Sequence, residues 1–163
     1  VGLDNVAETA TGLGLTHTAL LDIVRDDRTS QHPPALSTGN AAEVVRLCRD
    51  IELGRALSPA ASQQVRTWLR VNTDLSMTAS AFGLDPLAHV DPERALQLWN
   101  KTGTNIGVRC DVGVLSDAGR DDTEAVAYAV LAHWRPDEEA DPVRDDVLAT
   151  MREVGALVRA ALH

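Results

Sequence analysis

Aromatic residues and basic charge are scarce in this 163-residue chain, and each scarcity limits what the protein can do. Only 3% of the residues are aromatic, so a core must be built mainly from Leu, Val and Ala. The 15 Lys and Arg residues are outnumbered by 24 Asp and Glu, which gives a net charge of −9. Binding to phosphate backbones needs a basic face, so we expect no nucleic-acid partner.

Long apolar runs and clustered metal ligands are also missing. No stretch approaches the ~20 apolar residues that span a membrane, and residues 1–4 lack the basic flank of a signal peptide, so we expect no membrane partner. Cys48 and Cys110 form no C-x-x-C pair and are expected to act as small buried apolar residues. We predict no metal site and no cofactor, because no metal-ligand spacing relates the histidines, which we expect at the surface or half-buried: His17, His32, His89, His133 and His163.

Lysine is the rarest charged residue. Lys101 is the only lysine among the 15 basic residues, and all the others are arginine. One explanation for the excess of arginine is a GC-rich coding bias, as in actinobacteria. A compact ammonium cannot be replaced geometrically by a guanidinium. We therefore interpret Lys101 as chemically specified, the alternative being a surface lysine before a hairpin turn.

Apolar residues at helical spacing dominate the first part of the chain. The pattern predicts a helix over residues 3–14, followed by a long polar loop over residues 22–39. A short helical turn is predicted over residues 75–82, and Asp91-Pro92 is the pattern of a further helix start.

Two other helices carry recognisable caps. Asn40 and Glu43 form the pattern of a capping box, which predicts a helix to about residue 53. Ser58-Pro59 is typical of an N-cap followed by proline at the first helical position. That second helix is predicted to reach about residue 71 and to bury three side chains: Val65, Trp68 and Leu69.

The apolar pattern then changes to a period of two. Strands are predicted over residues 96–104 and 108–114, where Arg109 and Asp111 alternate outward, and a third strand over residues 125–134 is apolar on both faces, as in a central strand. A polar turn at 117–122, an acidic linker at 137–141 and a closing helix over 143–162 complete the pattern. We predict an α/β (α+β) sandwich with an antiparallel sheet flanked by helices. Three strands make a small sheet, so the fold is expected to be incomplete in this chain.

The most informative motif is Lys101-Thr102-Gly103, which ends one strand, followed by a glycine-containing turn and by Arg109-x-Asp111 on the paired strand. With this arrangement the sequence resembles class A β-lactamases and their actinobacterial serine-hydrolase relatives, in the serine β-lactamase/penicillin-binding superfamily. Residues 13–18 resemble the segment leading into that family's Ω loop, and residues 58–65 resemble a late helix. The resemblance covers nearly the whole chain, from just past the middle of the family's domain to its end.

The resemblance implies three catalytic residues. Lys101 supplies positive charge beside the nucleophile and the substrate carboxylate. Thr102 donates a hydroxyl hydrogen bond to that carboxylate. Thr104 offers its backbone N–H to the oxyanion hole, where negative charge develops.

It also implies a substrate-binding set beside them. Gly103 leaves room for substrate against the backbone, Asn105 lies in the turn that follows, and Arg109 reaches from the adjacent strand toward the carboxylate. For Arg109 and Asp111, a solvated cross-strand pair is the alternative interpretation.

The family's nucleophile motif is missing from this sequence. Ser-x-x-Lys cannot occur, because the only lysine is Lys101 and the residue three before it is Leu98. No Ser-x-Asn or Tyr-x-Asn occurs either. We therefore expect residues 1–163 to be the C-terminal portion of a single catalytic domain. Its expected partners are a small-molecule substrate and the N-terminal portion, possibly as a separate chain.

The region that corresponds to the Ω loop also departs from the family. Residues 22–34 contain no glutamate to deacylate an acyl-enzyme. Asp22, Asp26 and Asp27 are candidates to replace it, although we favour a salt-bridged loop anchor around Asp26, Asp27 and Arg28.

Three functions remain open from the sequence. The first is a serine acyl hydrolase acting through an acyl-enzyme on a β-lactam or a related amide or ester, incomplete as this chain alone. The second is a biosynthetic esterase or acyltransferase of the same fold, and the third is a non-catalytic binding domain. We expect a secreted location if the protein is a β-lactamase and a cytoplasmic location if it is a biosynthetic enzyme.

Overall fold

The computed structural model describes residues 2–91, 94–118, 124–135 and 142–162. A short 3₁₀ turn, Thr78–Phe82, lies between the helical first half and the main sheet. The remaining elements, in chain order, are α1 Leu3–Gly12, β1 Ala19–Leu20, β2 Ser37–Thr38, α2 Ala41–Glu52, α3 Pro59–Arg70, β3 Leu96–Asn105, β4 Val108–Asp117, β5 Ala125–His133 and α4 Pro142–Ala160.

The main sheet is an antiparallel meander with β4 in the middle. Lys101 on β3 lies opposite Val112, and Thr104 lies opposite Arg109. We predicted that residues 125–134 form a central strand, but in the described part of the chain β5 pairs only with β4 and is an edge strand. The predicted sandwich is confirmed, and among the described residues the outer edge of β5 has no paired strand.

Alternation along the strands divides the core into two clusters. One cluster packs beneath α4 and the 3₁₀ turn and consists of Leu75, Ala79, Phe82, Leu98, Leu115, Tyr128, Val158 and Leu162. The other packs beneath α2 and α3 and consists of Cys48, Ile51, Ala56, Trp99 and Val114. Adjacent residues of β3, such as Leu98 and Trp99, therefore pack against different helical layers.

Both predicted caps are present. The Asn40 side chain accepts a hydrogen bond from the backbone N–H of Glu43 at 3.1 Å, and Ser58 accepts one from Ala61 at 3.1 Å. Only half of the capping box forms, because the Glu43 carboxylate instead accepts hydrogen bonds from the backbone N–H groups of Thr16 and His17. Burial alone would raise the pKa of Glu43, but its hydrogen bonds to Thr16, Thr18 and His17 outweigh that effect and lower it well below the ordinary value. Glu43 thus attaches the chain before β1 to α2.

The prediction that Trp68 is buried is wrong. Its exposure is 64%, whereas Val65 and Leu69 are half-buried against the cluster under α2 and α3. The stripe of α3 that faces the sheet runs through Ser62, Val65 and Leu69, and Trp68 lies about a quarter-turn away from this stripe.

His89 is more buried than expected, at 2% exposure. Its Nδ1 lies 3.1 Å from the Pro86 carbonyl oxygen and its Nε2 lies 3.0 Å from that of Arg70. The ring therefore connects the end of α3 to the loop before β3. The helix start predicted at Asp91-Pro92 falls partly outside the described residues, as do most of the polar turn, the acidic linker and His163.

Close backbone contacts hold α4 against the 3₁₀ turn. A Cβ added at Gly155 would lie 2.1 Å from the Thr78 carbonyl oxygen, so only glycine permits this approach. Among the described helices, none combines the length and apolar character needed to cross a membrane.

Candidate active site

Strand β3 changes from buried to exposed in its middle. Leu98, Trp99 and Asn100 are buried, at 1–5% exposure, while Lys101 begins an exposed or half-buried run to Asn105. The covering layers end at this point of the strand. The predicted motif therefore lies on the part of β3 that a ligand can reach.

The predicted site residues lie on both faces of this segment. Alternation places Lys101, Gly103 and Asn105 on the face of α2 and α3, and Thr102 and Thr104 on the face of the 3₁₀ turn. The Lys101 ammonium donates a hydrogen bond to the Thr102 carbonyl oxygen. The structure thus brings the motif together as a strip at the sheet edge.

Arg109 is held by its own hairpin. Its guanidinium donates to the carbonyl oxygens of Asn105 at 2.8 Å and Val108 at 2.7 Å. It also lies over the Trp134 ring, with its Cζ 5.7 Å from the ring centroid. These contacts fix the side chain beside the β3–β4 turn, on the same face as Thr104.

Asp111 does not form the solvated pair with Arg109 that was the alternative interpretation, because its exposure is 0%. Its Oδ1 accepts hydrogen bonds from Asn100 Nδ2 and from the Tyr128 hydroxyl, each at 3.0 Å, and its Oδ2 accepts from the Ala79 backbone at 3.1 Å. Burial raises the pKa of Asp111, and the hydrogen bonds from Asn100, Ala79 and Tyr128 only partly oppose this. The alternating pattern misled the prediction because both faces of β4 are covered.

This buried carboxylate is connected to the loop after α3. Asn100 donates to Asp111 through Nδ2 and accepts from Asn72 Nδ2 at 2.9 Å through Oδ1. Asn72 Nδ2 also lies 3.3 Å from the Asp74 carbonyl oxygen. A continuous polar network therefore connects the buried half of β3 to residues 72–79.

Asp74 lies beside the exposed half of β3 and was not predicted as a site residue. Its Oδ1 accepts hydrogen bonds from the Ser76 hydroxyl at 2.7 Å and from the Ser76 backbone at 3.2 Å. Burial raises its pKa, but the Ser76 hydrogen bonds, the Thr102 hydroxyl and the charge of Lys101 together lower it below the ordinary value. The sequence signal is an Asn72-x-Asp74-x-Ser76 pattern, which suggests a polar turn but does not indicate which strand it faces.

The loop between β1 and β2 has an internal anchor, formed by Asp22. Arg25 Nε lies 3.0 and 3.1 Å from its two carboxylate oxygens, and Arg28 lies 3.3 Å from Oδ2. The hydrogen bond from Arg25 is the largest effect on the pKa of Asp22 and lowers it. Asp26 and Asp27 are exposed. Arg28 belongs to the anchor as predicted, but Asp22 is the carboxylate at its centre.

A cavity of about 280 Å³ lies between α3 and the buried half of β3, lined by residues that include Arg66, Arg70 and Trp99. None of the predicted site residues lines it. Within the described residues, no group of three or more His, Cys, Asp or Glu side chains could hold a metal ion.

An antiparallel sheet between two helical layers, with a Lys-Thr-Gly segment at its exposed strand edge, defines the class of serine β-lactamases and penicillin-binding proteins. The chain belongs to the beta-lactamase enzyme family, whose model matches residues 1–162. This confirms the resemblance, whereas the actinobacterial type stays a prediction.

Solved structures show the same fold. The β-lactamase from Sphaerobacter thermophilus DSM 20745 superimposes with a TM-score of 0.73 at 18% identity, over 99% of this chain and 54% of that one. PBP-A gives 0.69 at 17% identity, over 98% and 51%. The β-lactamase from Desulfarculus baarsii DSM 2075 gives 0.60 at 24% identity, over 96% and 54%. This chain thus spans about half the length of these proteins, and a comparison with curated proteins finds no match.

Proposed function

We propose that this chain is the C-terminal portion of a serine acyl hydrolase that acts through a serine acyl-enzyme on an amide or ester, β-lactams included. The observation that carries the proposal is the position of Lys101, the only lysine, where β3 emerges from the covering layers. The family match over residues 1–162 supports it. A variant of PBP-A forms an acyl-enzyme complex with penicillin G, and its structure matches this chain with a TM-score of 0.65.

In the proposed mechanism, a serine of the N-terminal portion attacks the substrate carbonyl, the amide or ester bond breaks, and the serine proton passes to the amine or alcohol that leaves. Water or another acceptor then releases the acyl group. Lys101 lowers the energy of the negative charge that develops near it, and the backbone N–H of Thr104 stabilises the oxyanion. A Cβ added at Gly103 would meet only Cys110, at 3.5 Å, so the protein itself could accommodate it. The added atom would instead obstruct the substrate, and Gly103 therefore keeps the strand edge clear. Asn105 and Arg109 form the boundary of the site at the hairpin turn.

The N-terminal portion is the proposed partner, on the same polypeptide or on a separate one. Two features support it. The outer edge of β5 is unpaired in the described part of the chain, and an apolar strand edge is a template for strand addition. Apolar side chains near β1 are also exposed, including Ile23 at 54% and Val24 at 79%.

The test is covalent labelling of the reconstituted protein. The chain is produced together with the N-terminal portion that carries Ser-x-x-Lys and treated with a fluorescent penicillin. Lys101→Ala should label roughly 100-fold more slowly, which is the scale expected for loss of one electrostatic catalytic group. Arg49→Ala, which removes an exposed cation from α2, is the matched control and should label at the normal rate. Equal labelling of all three proteins would overturn the proposal.

Lys101→Arg sharpens the same test. Arginine keeps the positive charge but replaces the compact ammonium with a planar fork. If Lys101 acts beside the nucleophile, this variant should label nearly as slowly as Lys101→Ala. Normal labelling of Lys101→Arg would mean that only a diffuse positive charge is needed.

A biosynthetic esterase or acyltransferase is the second candidate, favoured by the loop between β1 and β2. Residues 22–34 contain no glutamate, and both oxygens of Asp22 are engaged by arginines. An acyl-enzyme formed with penicillin should then be long-lived, and esters should turn over faster than β-lactams. Fast steady-state hydrolysis of penicillin would contradict this candidate.

A further inference from the structure

The cavity between α3 and the buried half of β3 has a volume of about 280 Å³, and none of residues 101–105 lines it. Its apolar lining includes Leu98 and Trp99, which are 3% and 5% exposed. Its polar lining includes Arg66 and Arg70, which lie one helical turn apart on α3. Buried apolar side chains with a few polar groups around them are typical of small-molecule sites, whose volumes begin at about 300 Å³.

The first of these arginines already has an anionic partner. Arg66 Nη1 lies 3.2 Å from Glu52 Oε1 and 3.3 Å from the Glu52 carbonyl oxygen. The other carboxylate oxygen of Glu52 accepts a hydrogen bond from Trp99 Nε1 at 2.6 Å. Among the described residues, Glu52 is the only carboxylate that lines the cavity. Both of its oxygens are therefore engaged, and the charge of Arg66 is balanced.

The second arginine has a neutral partner. The Arg70 guanidinium donates a hydrogen bond to the side-chain oxygen of Gln97. Gln97 is held in turn, because its Nε2 donates to the carbonyl oxygens of Asp91 at 3.0 Å and Arg94 at 2.8 Å. Within the part of the chain that the structure describes, no ion pair joins Arg70 to a carboxylate. The cavity therefore keeps one unbalanced positive charge, in a chain whose net charge is −9.

We propose that this cavity binds a small monocarboxylate with a ring-sized apolar body, and that Arg70 holds the carboxylate. One unbalanced guanidinium matches one negative charge, and its planar fork fits a carboxylate through two parallel hydrogen bonds. The apolar body packs against Leu98 and Trp99, away from water. A phosphate dianion needs a second cation, but Arg66 is already paired with Glu52. The inference is independent of the proposed function, because none of the residues assigned to acyl transfer takes part.

Benzoate and benzamide form a matched pair of probes, because they have nearly the same shape and differ in charge. The reconstituted protein, made from the isotopically labelled chain and its unlabelled N-terminal portion, is titrated with each probe. The indole N–H signal of Trp99 is followed by NMR. Benzoate should shift this signal saturably and bind roughly tenfold more tightly than benzamide, as expected for charge-assisted hydrogen bonds. Equal affinities, or no saturable shift with benzoate, would overturn the inference.

Substitution of Arg70 locates the site. Arg70→Gln removes the unbalanced charge and should weaken benzoate binding roughly tenfold, with benzamide binding unchanged. Arg70→Lys, which keeps the charge without the planar fork, should bind benzoate with an affinity between those of the wild type and Arg70→Gln. Arg49→Gln removes an exposed cation from α2 and is the matched control, which should bind benzoate as the wild type does. Undiminished benzoate binding by Arg70→Gln would contradict the assigned site.

Inorganic phosphate is the third probe, and it tests the class of ligand. It should bind the wild type at least roughly tenfold more weakly than benzoate, because it lacks an apolar body and carries more charge than Arg70 balances. Phosphate binding as tight as that of benzoate would show a general anion site and would overturn the assignment of a monocarboxylate. If Arg70→Gln does not fold, the comparison of the three probes on the wild type, together with Arg70→Lys, still decides the inference.

Discussion

The two halves of β3 share one backbone geometry but differ in everything that surrounds them. Residues 96–100 lie between two helical layers, where Trp99 packs on α2 and α3 and Leu98 packs under α4. Residues 101–105 continue the same ladder with β4 after those layers end. Burial fixes the first half, whereas the second half has no covering layer and is exposed or half-buried. Residues 101–105, to which the proposed function assigns the chemistry, lie immediately beyond a rigid anchor, and this holds them in place without covering them.

The sharpest way to break this comparison is to add one methyl group on β4 beside the buried half and one within the open half. A Cβ at Gly113, opposite Asn100, would lie 2.3 Å from the Trp99 carbonyl oxygen, whereas a Cβ at Gly103 would lie 3.5 Å from Cys110. Gly113→Ala should lower the free energy of unfolding by about 3 kcal/mol. Gly103→Ala should change it by less than about 1 kcal/mol. Urea unfolding measures both, and similar losses in the two variants would mean that the halves do not differ.

Asparagine offers a second matched pair. Asn100→Ala removes one of the three hydrogen bonds that Asp111 accepts and the acceptor of the Asn72 amide on β3, and it should cost about 2 kcal/mol. Asn105 is exposed, and its side chain only accepts from the Ile106 backbone at 2.8 Å. Asn105→Ala should cost less than about 0.5 kcal/mol in the same thermal or urea unfolding series. A large loss from Asn105→Ala would show that the open half is also structural.

Two aspartates sharpen the comparison through pH. Asp74, with a lowered pKa, contributes stability that is present above the unfolded value of about 4 and is lost as pH falls through its lower folded value. Asp111 has a raised pKa, so its effect has the opposite sign: stability is lost as pH rises from about 4 through the raised folded value.

Unfolding free energies between pH 2 and 7 test this difference. Relative to the wild type, Asp74→Asn should become less stable as pH rises, because the wild type gains from an ionised Asp74. Asp111→Asn should show the reverse trend with pH, whatever constant loss its altered hydrogen bonds cause. Parallel curves for the two variants would contradict the assigned directions.

Arg109 tests the open half with a small expected effect. Its contacts with Trp134 and with the carbonyl oxygens of Asn105 and Val108 are part-exposed or exposed. Arg109→Gln should therefore lower the free energy of unfolding by about 0.5–1 kcal/mol, as for an exposed cation–π contact. A loss above about 2 kcal/mol would show that the hairpin end depends on this side chain as much as the buried half depends on Asn100.

The parts of the fold that follow from local chemistry were predictable from the sequence. Asn40 and Ser58 indicate the two helix starts, and the change of apolar period before residue 96 indicates the meander. The Lys101-Thr102-Gly103 motif indicates the family and its edge strand. Each of these signals depends only on residues that are close together in the sequence. It can therefore be recognised without knowing the fold.

What the sequence does not indicate depends on contacts distant along the chain. Asp111 alternates with apolar residues as a solvent-facing aspartate does, and only the packing of Ala79 and Tyr128 against it shows that it is buried. Asp74 was not predicted as a site residue because it meets β3 across 28 residues of chain. Trp68 was placed in the core because a wide apolar stripe on a helix does not show which edge of the stripe is covered.

The contact between Gly155 and Thr78 extends the influence of α4 to the strand edge. A helix backbone that touches another backbone cannot slide or rotate without moving its neighbour. The segment that it contacts contains Ala79, which donates to Asp111, and continues from the Asp74 turn. Shortening or displacing α4 should therefore alter the alignment of residues 101–105 from a distance, although no residue of the helix lies among them.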